Sequence, residues 1–219
     1  MATITDSSLP MGWVTVADLW QRLGQVPLER IRLSPTPGTA AEQDVLDAID
    51  HADRICELVD GVLVEKTMGY IESLLAMAIG EFLRKFVRDR NLGIVLGEGG
   101  TLRILPRQVR IPDVCCLSWE RFPGGKLPQT PIPAVAPDLA VEVLSEGNTE
   151  GEMRRKLQDY FAAGVRLVWY VDPRTRTTAV YTSPEQCTVL GENDVLTGGD
   201  VLPGFELPLR ELFAEVDGK

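Results

Sequence analysis

Histidine is almost missing from this 219-residue chain: His51 is the only one. That excludes histidine-rich metal sites and two-histidine acid–base mechanisms. A Ser-His-Asp triad would have to use His51, which has no nucleophile motif around it. Cysteine is sparse too, and Cys56, Cys115, Cys116 and Cys187 show no CxxC spacing. They read as small buried hydrophobes of a reducing compartment, not as a zinc site or a disulfide framework. No apolar run approaches the ~20 residues of a membrane span; the one around Leu74–Gly80 is flanked by Glu72 and Glu81. The first residues lack the basic and apolar regions of a secretory signal. These absences lead us to expect a cytoplasmic protein with no membrane partner. What remains is an ordinary globular composition, 44% hydrophobic and 25% charged, long enough for one domain or one with a small appendage. Chemistry here must come from carboxylates, lysines, hydroxyls or a cofactor.

The net charge of −10 argues against indiscriminate nucleic-acid binding. The charge is uneven, however. Between residues 84 and 110 seven bases, among them Arg103, Arg107 and Arg110, face only Asp89 and Glu98, and a second cluster follows at Arg154-Arg155-Lys156. A solvated helix face with an exposed hairpin explains this pattern, and so does a phosphate-binding face.

Residues 1–12 read as a loose leader. Helical spacing over Val14–Leu23 stops at Gly24, and Ser34-Pro-Thr-Pro-Gly38 is a linker. Thr39-Ala-Ala-Glu42 reads as a capping box opening a helix to about Ile49. Residues 1–53 therefore form a helical extension and linker ahead of a domain over 54–219. Ile55–Glu65 holds Asp60-Gly61 between β-branched runs, a hairpin signal because both turn positions need positive φ. Ile71–Arg90 has the spacing of the longest helix. Ile94–Leu96 and Thr101–Leu105 suggest a second pair of strands around Gly97–Gly100. Then come a strand at Ile111–Ser118, a Pro/Gly-rich loop, a strand at Leu139–Ser145 and a helix at Glu152–Ala163. Strands at Leu167–Val171 and Thr177–Tyr181 and a Pro203–Leu212 tail finish the chain. The order implies α/β with a mixed sheet and one βαβ crossover from 139–144 to 167–171.

A strand opening such a crossover is normally central and covered on both faces. Glu142 is then a carboxylate inside an apolar strand, where it needs a cation or must protonate. A structural ion pair and a functional site both satisfy that need. Asp113, positioned by Pro112, starts another strand, and one helical turn can return Lys156 to Glu142. Two carboxylates and an ammonium at neighbouring strand ends would suit Mg²⁺ and metal-assisted phosphodiester hydrolysis.

The ordered strings Glu57-Leu-Val-Asp-Gly61, Ile111-Pro-Asp113-Val, Val141-Glu142-Val-Leu-Ser145, Lys156-Leu-x-x-Tyr160-x-x-Gly164-Val165, Val168-Trp-Tyr-Val-Asp172-Pro173 and Leu202-Pro-Gly-Phe205 resemble a known family over residues 54–213. It is the Uma-two type of restriction-endonuclease-like proteins, in the PD-(D/E)XK nuclease superfamily. The resemblance implies a restriction-endonuclease-like core: a mixed β-sheet flanked by helices. It implies Asp113 and Glu142 as ligands of Mg²⁺ or Mn²⁺ and Lys156 as the catalytic lysine. The superfamily lysine two residues after the acid is replaced here by Leu144, and Lys156 matches the family's shifted one. Glu72, near the start of the first core helix, is the candidate for an added metal ligand. Glu57 is either a hairpin residue or a further acid. Within this frame Arg103, Arg107, Arg110, Arg154 and Arg155 are candidates for contacts to DNA. A homodimer or higher homo-oligomer is expected. The competing reading is a catalytically idle nuclease fold used for nucleic-acid binding or dimerisation, since fold does not imply function.

Overall fold

In the computed structural model, which describes residues 14–52, 54–67 and 69–217, the first helix α1 (Val16–Arg22) opens on a reciprocal cap. The Thr15 hydroxyl accepts from the Asp18 amide and the Asp18 carboxylate accepts from Thr15. The leader over 1–12 lies outside the described residues. Helix α2 spans Glu42–Ala52. Its cap differs from the expected box: Thr39 donates to the Thr36 carbonyl, and Asp44 accepts from the Ala41 amide at 2.7 Å. Glu42 is thereby left to meet Arg103 at 2.9 Å.

Strands β1 (Cys56–Val59) and β2 (Val62–Glu65) form the hairpin, with Asp60 and Gly61 at φ 53° and 79°. Neither helix of the extension stands apart from it. Leu19, Leu23 and Val26 pack on Val59, Val62 and Val64, while Ala40 and Val45 share a core with Cys56, Leu58 and Leu63.

The long helix α3 (Tyr70–Asp89) buries Leu75, Ala78, Ile79, Leu83 and Val87, the stripe its 3.6-residue period dictates. Beyond it β3 (Gly93–Gly97) and β4 (Leu102–Leu105) follow in sequence but do not pair with each other, contrary to expectation. The turn between them carries the chain from one sheet to another. β4 pairs with β5 (Gln108–Arg110), a strand too short to show periodicity, and completes a four-stranded sheet of order β2-β1-β5-β4. β3 instead forms the edge of a six-stranded sheet beside β6 (Val114–Ser118).

That larger sheet continues through β7 (Leu139–Val143), β8 (Leu167–Asp172), β9 (Thr177–Tyr181) and β10 (Cys187–Gly191). Only β7 and β8 run parallel, joined by helix α4 (Glu150–Ala162); the remaining pairs are antiparallel. One face carries α3 and the tail, where β11 (Val195–Gly198), β12 (Leu202–Pro208) and α5 (Leu209–Ala214) bury Leu196, Phe205, Leu212 and Phe213 against Trp169 and Val141. The other face carries α4, with Met153, Leu157 and Tyr160 on Ala140, Val168 and Tyr170. β7 is therefore central and doubly covered. All four cysteines are free; three are buried, but Cys187, expected inside, is exposed on the edge strand β10. No helix among the described residues is long and apolar enough to cross a membrane.

Candidate active site

Alternation along β7 sends Leu139, Val141 and Val143 to the α3 face and Ala140 and Glu142 to the α4 face. Helix α4 starts at Thr149, whose hydroxyl accepts from the Glu152 amide, and presents Lys156 and Tyr160 one turn apart on its inner side. Lys156 Nζ lies 3.0 Å from Glu142 Oε2 and 3.2 Å from Glu57 Oε1. The Tyr160 hydroxyl donates to Glu142 Oε1.

Asp113 stands where the chain leaves β5 of the small sheet and enters β6 of the large one. The β6–β7 register pairs Val114 with Val141, so its continuation sets Asp113 opposite Glu142. Asp113 Oδ2 accepts from the Val143 amide at 2.6 Å, and Oδ1 lies 2.7 Å from Lys66 Nζ. Lys66 also donates to the Ile111 carbonyl at 2.6 Å. Glu57 closes the cluster: Oε1 accepts from the Ile111 amide at 3.0 Å and Oε2 lies 2.8 Å from Arg110, whose other amine reaches Asp159. Five elements thus meet in one buried, alternating network of acids and bases.

The two glutamates on Lys156 behave oppositely. Burial raises the Glu142 carboxyl above its ordinary value, with Asp113 and Glu57 adding to the rise, while Lys156 and Lys66 only partly offset it. For Glu57 burial acts in the same upward sense, but Lys156, Arg110 and Lys66 outweigh it and hold the carboxyl down at about 2. Burial, reinforced by Glu142, raises the Tyr160 hydroxyl well above its ordinary value, so it stays a donor. Burial also pushes the Cys115 thiol up to about 12, which removes it as a nucleophile.

The signs make a testable pair. The stability contributed by Glu57 is complete above its ordinary value of 4.5 and drains away as the pH falls toward 2. For Glu142, raised in the fold, ionisation costs stability as the pH climbs through the folded value. Urea denaturation in EDTA at pH 7 should therefore find Glu57→Gln destabilised, by a margin that shrinks in acid. Glu142→Gln should be unchanged or more stable.

Of the residues singled out in the sequence, Asp113, Glu142 and Lys156 are neighbours in this network. Glu72 is not in it: its carboxylate folds back over Gly69, and it lines a cavity of about 570 Å³ with Thr67, Ser145, Gly147 and Arg174 at the carboxyl ends of β7 and β8. No group of three His, Cys, Asp or Glu that could hold a metal occurs among the described residues. Arg110 is only 3% exposed and engaged by two acids, so it faces no solvent-borne phosphate. Arg107 is committed to the Gly38 and Asp60 carbonyls at the hairpin turn. Arg155 pairs with Asp60 at 2.6 Å. Arg103 and Arg154 make solvent-exposed pairs with Glu42 and Glu150.

Lys66 and the part played by Tyr160 were not recognised in the sequence. A signal for Lys66 exists. The hairpin register pairs Glu57 with Val64, and a residue two further along β2 returns to the same side of the pleat.

The mixed sheet flanked by helices is the restriction-endonuclease-like core that the resemblance implies. The family "Uma2: Putative restriction endonuclease" matches residues 42–210, and the chain belongs to it. A crystal structure described as a "putative nuclease belonging to DUF820" from Anabaena variabilis ATCC 29413 is similar at a TM-score of 0.67 and 18% identity, over 75% of this chain and 92% of that one. No curated protein matches the chain. The match to the family begins inside the helical extension, at the first residue of α2.

Proposed function

We propose that the chain is a divalent-metal-dependent endodeoxyribonuclease, with Asp113 and Glu142 as metal ligands and Lys156 as the catalytic lysine. The observation that carries this reading is the placement of Asp113 across from Glu142, with Lys156 at 3.0 Å. The donor set fits Mg²⁺ or Mn²⁺. Such ions take hard oxygen ligands, and Mg²⁺ commonly binds through one or two carboxylates plus waters. Among the described residues each carboxylate oxygen of Asp113 and Glu142 accepts a single protein bond, which leaves a lone pair. Burial is the main cause that raises Glu142, and the like charge of Asp113 and Glu57 that adds to it is what a cation would relieve. When bound, the ion would activate water and neutralise charge on the scissile phosphate.

The protein groups do the rest. Lys156 holds Glu142 in the orientation needed for ligation and supplies positive charge as the phosphate becomes more negative. Tyr160, fixed as a donor, keeps the other Glu142 oxygen in place. Asp113, Glu142 and Lys156 are buried and do not line the 570 Å³ cavity; nucleic acid would approach from that side, where the cavity shares Ser145 and Arg174 with a second cleft. That cleft shares Arg154 with a third, lined also by Arg22 and Arg155. The three clefts form a track around the start of α4 along which a phosphate backbone can run. The exposed Arg154–Glu150 pair would open for it at little cost. We extend the proposal to a homodimer, because one such site cuts one strand and a double-strand cut needs two.

The second reading, an idle nuclease fold that binds nucleic acid, is favoured by one observation: every acid in the network already has a protein cation or donor. Supercoiled plasmid with Mg²⁺ or Mn²⁺, with and without EDTA, separates the two. Metal-dependent nicking that Asp113→Asn and Glu142→Gln reduce to background is the expected result. Binding without nicking by a folded parent in either metal would establish the second reading.

A further inference from the structure

We infer that Lys66 is a displaceable cation of this site: its ammonium holds Asp113 while no divalent ion is bound, yields that carboxylate to the ion, and then stands beside the scissile phosphate. The inference rests on the metal-binding reading above and goes beyond it, because it gives the site two lysines with different tasks.

Three observations carry it. The first is the pair of oxygens that Lys66 occupies. Nζ lies 2.7 Å from Asp113 Oδ1 and 2.6 Å from the Ile111 carbonyl, a carboxylate and a peptide oxygen of the kind that hard cations take. The ammonium sits where a divalent ion bound to Asp113 would compete with it, and having no lone pair it cannot share that ion.

The second is charge. With every acid ionised, Glu57, Asp113 and Glu142 are matched by Lys66, Arg110 and Lys156, and Asp159 at the edge of this buried network is shared by Arg110 and Arg155. Two further positive charges in that volume are unfavourable unless a resident cation moves away or an anion arrives. Lys156 is clamped between Glu142 and Glu57, and Arg110 between Glu57 and Asp159, so each is held by two acids. Among the described residues Lys66 is paired with one acid, Asp113.

The third is position. Lys156 is enclosed between α4 and the sheet. Lys66 leaves the end of β2, and the next residue, Thr67, lines the 570 Å³ cavity and meets the Ser145 hydroxyl at 3.0 Å. A lysine released from Asp113 would turn out of this buried seat, where its side chain is 6% exposed, past Thr67 toward that cavity.

The test is calorimetric Mn²⁺ titration of the full chain without DNA, on the parent, Lys66→Gln, Lys66→Met and Asp113→Asn, each with a thermal melt in EDTA and in Mn²⁺. Lys66→Gln keeps a donor toward Asp113 and the carbonyl without the charge, so it serves if Lys66→Met does not fold. Lys66→Gln should bind Mn²⁺ about tenfold more tightly, since one competing charge is gone. It should also show a larger rise in melting temperature on adding Mn²⁺ than the parent, from a lower start in EDTA. Plasmid nicking at saturating Mn²⁺ should nonetheless fall about 10²-fold, the loss typical of one electrostatic stabiliser. Unchanged or weaker Mn²⁺ binding by both Lys66 variants, with binding abolished in Asp113→Asn, would overturn the inference and leave the metal site intact. If neither parent nor Lys66 variants bind Mn²⁺, the metal site itself falls, and this inference with it.

Discussion

Lys156→Met should lower stability by about 3–5 kcal/mol, the cost typical of removing one partner from a buried ion pair. Two acids lose their shared cation, but unequally. Glu57 retains Arg110 and the Ile111 amide, whereas Glu142 retains only the Tyr160 hydroxyl. Already raised by burial, Glu142 would be pushed further up and would take a proton. The loss should accordingly be smaller at pH 5 than at pH 8, because a neutral Glu142 no longer needs the lysine. Denaturation at the two pH values checks the sign. A double variant, Lys156→Met with Glu142→Gln, should recover much of the stability, since neighbouring sites are not additive. A third variant then separates stability from chemistry. Lys156→Arg keeps the charge but not the compact ammonium. If it folds like the parent yet nicks plasmid about 10²–10³-fold more slowly, Lys156 acts in the reaction and is more than a strut.

The second large effect lies away from the chemistry. Arg30 is 7% exposed and makes a bidentate pair with Glu152 at 2.6 and 2.8 Å, while its remaining donors reach the Glu65 and Gly147 carbonyls. Arg30→Met should cost about 3–5 kcal/mol, because Glu152, itself 6% exposed, would lose its cation. Arg154→Ala, in an exposed i,i+4 pair with Glu150, should stay within about 0.5 kcal/mol. Guanidinium denaturation of the two variants side by side gives the comparison. A small effect at Arg30 would show that the segment before the hairpin is not integral to the domain. A large one would make it structural, joined to the start of α4 and to the strand that carries Lys66.

Much of this arrangement can be read from the chain alone, for definite reasons. Asp60-Gly61 specifies its own turn, the apolar stripe from Leu75 to Val87 specifies α3, and the crossover from β7 through α4 to β8 follows from two buried strands around a capped helix. Asp113, Glu142 and Lys156 are legible because a charge inside or beside an apolar run demands an explanation. What stays hidden is non-local. β5 has three residues and no period to detect, β10 has no buried face, and β11, though it buries alternate residues, is four residues long with apolar Val195 on its exposed side. Lys66 looks like any polar residue ending a strand until the turn from β5 to β6 brings Asp113 to it. Arg110 reads as part of a basic cluster because charge counts ignore direction; in the fold it points inward to Glu57 and Asp159.

The seam between the two sheets has a kinetic consequence. Glu57 and Lys66 come from the four-stranded sheet, Glu142 from the six-stranded one, Lys156 from the crossover helix, and Asp113 from the peptide that joins the sheets. No one of these pieces carries a complete site, and Glu57 and Lys156 lie far apart along the chain. Loop closure over such a distance is slow compared with local helix formation. The charge network should therefore lock late in folding and come apart early in any opening of the hairpin. Opening would remove two of its charges together, so the site acts as a clasp whose protection from exchange reports whether the two sheets are docked.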